Sequence, residues 1–330
     1  MKKAIWLLFC FMLPVVLRAA ASAKIPILLD TDIGTDIDDA FALALIVRSP
    51  ELQLLGLTTV SGDTEARARL AAKLLWESGF RRVPVVAGEP GKPLPIAQAR
   101  WAKGFKSPQQ QSGNAADFLD ATLRRQAGKT TIVAIGPLSN IAALLQKDPA
   151  VAKKIDQIVM MGGSIYHGYD ESKTPVAEYN IASDPAGAQT VFRSGVHIMM
   201  APLDVTAMLH LNAAGRHHVF TNLSPMTDAL AILYNLWNRL TPTLFDPMAV
   251  AMLIDPSLCK TRPLSVQVDA KGFTRIADSQ PPNATVALET DPTKFFDFYL
   301  GRVAPEAETS VKRELRLDVA LQGASITGYR

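Results

Sequence analysis

The chain has 330 residues, 48% of them apolar, with 34 basic and 31 acidic side chains and a formal net charge of +3. That near balance leaves no basic stripe of the kind a nucleic-acid partner demands. Only Cys10 and Cys259 are present, so a disulfide framework is excluded and a hydrophobic core must supply the stability.

The N-terminus joins "MKK" to the apolar run "AIWLLFCFMLPVV" and to "AASA", which ends small-x-small at Ala21 and Ala23. This is the pattern of a secretory signal peptide over residues 1–23. An uncleaved anchor is the alternative, but the run falls short of the ~20 apolar residues of a membrane span. Cleavage removes Lys2, Lys3, Arg18 and Cys10 with no acid, which brings the formal charge from +3 to zero. The mature chain is expected to be exported, periplasmic or secreted, with no stable membrane span. A chain of this length suffices for one large core.

Strand-like runs at 24–30, 52–62, 83–88, 129–136, 155–163 and 196–206 alternate with helix-like runs at 38–50, 63–79, 115–128, 137–149 and 184–195. The alternation predicts an α/β fold with a mostly parallel central sheet flanked by helices. Pro137 is expected at the first position of its helix. Residues 89–114 and 164–177 are polar and read as surface loops. From about 207 the pattern is largely helical, until 264–270 and 284–291 suggest a late pair of strands. Neither repeats nor a strong linker interrupt the chain, so residues 24–330 are expected to form a single domain.

In open α/β sheets ligands bind at the carboxyl ends of the strands. "DTDIGTDIDD" stands at the first of these ends and places Asp30, Asp32, Asp36, Asp38 and Asp39 within ten positions. Carboxylates that close repel unless something neutralises them. A hard divalent cation, Ca²⁺ or Mg²⁺, does so. Helix capping by Asp36 or Asp38 is the plainer alternative, and it accounts for one or two acids, not five. An EF-hand loop fails because Thr35 and Phe41 stand where Gly and Glu are required. An aspartyl-phosphatase motif fits Asp30 and Asp32 but not Gly34.

"DTDIGTDIDDAFAL" resembles the N-terminal signature of the inosine–uridine-preferring nucleoside hydrolase family. "TIVAIGPLSNIAALL" (131–145), "MMGGS" (160–164), "AEYNIASDPAGA" (177–188), "APLDVT" (201–206) and "FDPMAVAMLIDP" (245–256) resemble further blocks of that family, in its order. The resemblance implies hydrolysis of the N-glycosidic bond of a ribonucleoside or related N-ribosyl compound. It implies a Ca²⁺ held by Asp32, Asp39, Asp246 and the carbonyl of Ile135, with Asp32 also the general base. Asp38, Glu178 and Asn180 are placed around the ribose, and Asp63 stands where many members carry an Asn that contacts it. A homo-oligomer is implied as well.

Besides Asp63, the match departs from the family in three places. The acidic signature is two residues longer than usual, so Asp36 competes with Asp38 and Asp39 for their roles. Tyr169 stands near another usual Asn. Phe245 stands where many members carry the His that protonates the leaving base, and Phe has no proton to give. Tyr166, His167, Tyr169 and Tyr234 are candidates to replace it. Tyr234 and Trp237, on one predicted helix, either stack on a base or are ordinary packing aromatics. Phe245 also motivates a second reading, a calcium-dependent ribosyl- or polyol-binding protein with little turnover. An intact general base at Asp32 argues against it.

Overall fold

The computed structural model describes residues 23–306. The predicted signal segment through Ser22, and residues 307–330, lie outside the described residues.

Eleven strands are formed among the described residues. These are β1 (Ile25–Thr31), β2 (Leu52–Thr59), β3 (Val85–Ala87), β4 (Gln110–Gln111), β5 (Thr130–Ala134) and β6 (Ile155–Met161). They continue with β7 (Ile198–Ala201), β8 (Cys259–Leu264), β9 (Val266–Val268), β10 (Thr274–Ile276) and β11 (Ala284–Thr290). Nine of them make one sheet in the order β4-β3-β2-β1-β5-β6-β7-β11-β8, and β9 pairs with β10 apart from it. Every pairing in the large sheet is parallel except that of β8 with β11. The chain winds outward from β1 to β4, then returns to the other flank of β1 with β5. The carboxyl ends of β1 and β5 therefore meet at a topological switch point, where a crevice opens in such sheets.

The helices are α1 (Asp38–Val47), α2 (Thr64–Glu77), α3 (Ala115–Arg125), α4 (Ser139–Lys147), α5 (Tyr179–Ser183) and α6 (Pro185–Phe192). After them come α7 (Leu203–Thr206), α8 (Ala213–Phe220), α9 (Pro225–Trp237), α10 (Phe245–Ile254) and α11 (Pro292–Val303). Strand side chains alternate between the two faces. Ile27, Leu29, Val133 and Val159 pack under α1, α2, α9, α10 and α11. Leu28, Ile132, Ile158 and Met160 pack under α3, α4 and α6. Both faces are covered, which explains the near-continuous apolar strands.

α1 is apolar all round, and its residues from Asp38 to Ile46 are buried. Such a helix belongs in the interior. It runs between the sheet and α10, with Phe41 against the ring of Tyr299, 6.3 Å between centroids. Tyr299 Oη donates to the carbonyl of Phe41 at 3.0 Å. The acids at the start of α1 are thus carried into the protein by a core helix.

Three expectations change. Pro137 is not the first helical residue, because α4 begins at Ser139 with Leu138 at its N-cap. The predicted strand 196–206 stops at Ala201, and Leu203–Thr206 turns into α7, since Pro202 has no N–H to continue a ladder. The late strands pair differently: β11 takes β8 as its partner, whereas β9 turns back on β10.

Truncating Phe41 to Ala removes a buried ring from this central packing. It should destabilise the mature protein by about 3–5 kcal/mol. Urea unfolding measures this, and a loss below ~1 kcal/mol would contradict a central place for α1.

Candidate active site

The crevice at the switch point is a cavity of about 280 Å³. Its wall carries Asp32, Asp36, Asp38, Asp39, Glu178 and Asp246, together with Ile135, Met161, Tyr169, Tyr179, Asn180, Arg239 and Phe245. Asp32 follows β1 directly, and Ile135 follows β5. Asp38 and Asp39 open α1, and Asp246 is the second residue of α10. Glu178 caps α5 and Asn180 lies in its first turn. Asp246 thus arrives more than two hundred residues after the aspartates of the first signature and joins them through the packing of α10 on α1.

The carboxylates of Asp38, Asp39 and Asp246 each offer an oxygen within 4.8 Å of the other two, and all three residues are buried. Asp246 N–H donates to Asp38 Oδ2 at 3.3 Å. Asp39 Oδ1 accepts from Thr31 Oγ1 at 2.5 Å. Burial holds all three well above the ordinary carboxylate range, and the charges of neighbouring aspartates push further the same way. Asp32 is pushed up to about 6 by burial, opposed by the charge of Arg67. An array of hard oxygens, buried, crowded and of one charge, fits a divalent cation and nothing softer.

The resemblance placed Asp32, rather than Asp38, beside Asp39 and Asp246. The tightest triad contains Asp38. Asp32 stands next to it, close enough for its charge to act on all three. The two additional residues of the signature form a link from Asp32 to Asp38. Asp36 reaches the cavity wall from that link, half-buried, with its Oδ1 on the N–H of Ile37 at 2.6 Å. The N-cap of α1 is Ile37, without a side-chain cap, so neither Asp36 nor Asp38 is spent on capping.

Asp30 lies behind the cavity wall. Its Oδ1 accepts from Thr58 Oγ1 at 2.5 Å and from Asn140 Nδ2 at 2.8 Å, while Oδ2 is buried without a partner. Burial pushes it up to about 7. Glu178 is also pushed up to about 7 by burial. That happens although Oε1 accepts from Asn180 N–H at 2.9 Å and Oε2 from Gly163 N–H at 2.8 Å and Ile181 N–H at 3.2 Å. Those three bonds fix the Glu178 carboxylate against the end of β6. Asn180 Nδ2 donates to the carbonyl of Met161 at 3.1 Å.

Three expected contact residues stand off the cavity wall. Asp63 is exposed, and its Oδ1 caps α2 by accepting from Ala66 N–H at 2.9 Å. Tyr234 donates to the carbonyl of Leu240 at 2.7 Å. Trp237 packs against Tyr234, with centroids 6.1 Å apart. Of the candidates to replace the missing histidine, Tyr166 accepts from Arg262 Nη2 at 2.9 Å and His167 faces Asp204 at 3.6 Å, both away from the cavity wall. Tyr169 does reach the cavity, edge-on to Phe245 with centroids 6.1 Å apart.

Arg67 is the residue the sequence reading missed. It is fully buried, and no other basic side chain among the described residues is buried. Its Nη1 donates to the carbonyls of Asp32 and Ile33, Nη2 to Thr35 Oγ1 and Nε to the carbonyl of Ser61. It thus holds the backbone on which Asp32 stands, and it pins Ser61 in a left-handed conformation, φ 70°. The signal was present: Arg67 shares an apolar stripe with Leu70, Ala71 and Leu74 of α2, where a charge demands a buried partner. Gly136 is a second such residue. A Cβ there would lie 2.9 Å from the backbone nitrogen of Asp32 and 3.0 Å from its Oδ1.

In the unfolded chain the carboxyls of Asp30 and Glu178 titrate near their ordinary values, 3.8 and 4.5; in the fold both lie at about 7. Between those limits the folded state keeps protons that the unfolded chain has released, so stability falls as pH rises. In the presence of chelator, the mature protein should melt at a higher temperature at about pH 5 than at about pH 7.5, with a divalent cation restoring the loss. A chelated protein whose melting temperature is flat or rises over that interval would contradict the assignment.

Residues 27–297 match the sequence model of the family described as inosine-uridine preferring nucleoside hydrolase. The chain is 33% identical over 310 residues to the pyrimidine-specific ribonucleoside hydrolase RihA of Salmonella gallinarum, covering 84% of this chain and 98% of the relative. A plant nucleoside hydrolase superposes with a TM-score of 0.75 at 25% identity, over 85% of this chain and 99% of its own. A purine-preferring ribonucleoside hydrolase from Gardnerella vaginalis superposes with a TM-score of 0.73 at 28% identity, over 86% of this chain and all of its own.

Proposed function

The chain belongs to the inosine-uridine preferring nucleoside hydrolase family and is an N-glycosyl hydrolase; from that premise we propose that it cleaves the N-glycosidic bond of a ribonucleoside, or a closely related N-ribosyl compound, with a Ca²⁺ at the acidic triad and Asp32 as general base. The observation that carries this reading is the buried convergence of Asp38, Asp39 and Asp246 in the cavity that also holds Asp32, Glu178 and Asn180. When bound, the cation supplies positive charge that orients the ribose diol and lowers the pKa of the attacking water. Asp38, Asp39 and Asp246 would hold it, with Asp32 and the carbonyl of Ile135 lining the same cavity as further oxygens.

The chain's own residues do the rest. Asp32 takes the proton of the attacking water. Arg67 keeps Asp32 placed by holding its carbonyl. As the bond breaks, positive charge develops on the ribose, and the surrounding carboxylates stabilise it electrostatically. Glu178 and Asn180 form the wall that receives the ribose. The relatives named above differ in base, one pyrimidine-specific and one purine-preferring, so family membership leaves the base open. We further propose that the chain is exported after loss of residues 1–23 and assembles as a homo-oligomer. The intact mass and the gel-filtration volume of the mature protein test those two points.

The chemistry is tested by release of base and ribose from a panel of purine, pyrimidine and nicotinamide ribosides, with Ca²⁺ and with chelator. Turnover should require the cation, and Asp32→Ala should lower kcat by ~10²–10⁴-fold. Equal turnover in chelator would remove the cation from the account. Ribosides that raise the melting temperature without being cleaved would favour the ribosyl-binding reading instead.

A further inference from the structure

Breaking the N-glycosidic bond leaves an electron pair on the departing nitrogen, and that negative charge needs a partner. The cavity wall is poor in such partners. Phe245 has no proton. Burial pushes the Tyr169 hydroxyl well above its usual range, so it gives up its proton poorly; its oxygen accepts from Tyr179 N–H at 3.0 Å, and its O–H can offer only a neutral hydrogen bond. The carboxylates repel an anion. Among the described residues one cation lines the cavity, Arg239.

The local structure explains how Arg239 comes to stand there. α9 ends at Asn238, whose left-handed backbone, φ 58° and ψ 39°, turns the chain sharply. Asn238 N–H donates to the carbonyl of Tyr234 at 3.1 Å, and Tyr234 Oη donates to the carbonyl of Leu240 at 2.7 Å. The backbone on both sides of Arg239 is therefore tied to one tyrosine. The guanidinium sits over the Trp237 ring, 5.7 Å from its centroid, and forms no ion pair among the described residues. Its charge is felt by Asp36 across the rim. Tyr234 and Trp237 thus support Arg239.

We propose that Arg239 is the residue that stabilises the leaving base, by a charge-assisted hydrogen bond to the atom on which the negative charge settles. This rests on the hydrolase reading above. The water oxygen bonds to C1′ of the ribose while its proton passes to Asp32. The C1′–N bond breaks and its electron pair leaves with the base. Arg239 donates a hydrogen bond to that anion and keeps its own proton, because a guanidinium does not give it up near neutrality. The base then takes a proton from solvent, and Asp32 releases one. The wall replaces the usual acid by a fixed cation, which neutralises the leaving group without a proton transfer.

The test compares a nucleoside cleaved by the wild type with 4-nitrophenyl β-ribofuranoside, whose leaving group is stable as an anion without help. Arg239→Met should lower kcat/KM on the nucleoside by ~10²-fold or more and on the nitrophenyl riboside by less than about threefold. Arg239→Lys should recover part of the nucleoside activity. Melting temperatures of the variants show that they fold. An equal loss on both substrates, or no loss on either, overturns the proposal. The same selective loss in Tyr169→Phe or Tyr179→Phe, with Arg239→Met unaffected, also overturns it, in favour of that tyrosine. A wild-type protein that cleaves neither substrate overturns the hydrolase reading itself, which is a separate result.

Discussion

Mutual repulsion among buried carboxylates governs this structure. Asp32, Asp38, Asp39 and Asp246 all line one cavity, and each is buried. Desolvation and like charge both disfavour their ionised forms. Two features answer part of that cost. Arg67 places a fixed positive charge behind Asp32. Asp38 and Asp39 stand in the first turn of α1, where the partial positive charge of the helix N-terminus favours acids. The remaining like charge is of the kind that a divalent cation neutralises, and Asp38, Asp39 and Asp246 gather oxygens within reach of one.

Topology decides where this charge accumulates. β1 and β5 are neighbours in the sheet but are separated by the β2–β4 excursion in the chain. Their carboxyl ends stay paired as far as the Ile135 N–H, which donates to the carbonyl of Asp30 at 2.8 Å, and the connections that follow them diverge at the reversal of strand order. Gly136 lets the end of β5 approach Asp32 to a distance that no side chain would permit. α1 then buries its whole circumference, so the acids at its start are fixed by core packing and not by a loop. α10 reaches the same point from the far end of the chain and brings Asp246. Sites built on packed helices and strand ends hold their geometry better than sites on loops.

Much of this was legible in the sequence. The periodicities located the alternating elements, and the family's blocks placed Asp38, Asp39, Glu178, Asn180 and Asp246 around one pocket. β8 escaped because "CKTRPL" carries two cations and a proline, the composition of an edge strand that discourages further pairing. Asp63 was read by its position after "SG", but an aspartate immediately before a helix serves the helix as its N-cap. Tyr234 and Trp237 were read by their spacing, which says they are neighbours and not what they face. Arg239 depends on a single left-handed residue, Asn238, and no periodicity reports that. Arg67 was the legible residue that went unread, a charge set in an apolar stripe.

The account stands on the triad as a cation site, and direct binding tests this most simply. Isothermal titration of the chelator-treated mature protein with Ca²⁺ should show one strong site per chain. Asp246→Asn should abolish it, and Asp63→Asn should leave it unchanged. Absence of Ca²⁺ binding in a protein that still releases base in chelator would contradict the account at its centre.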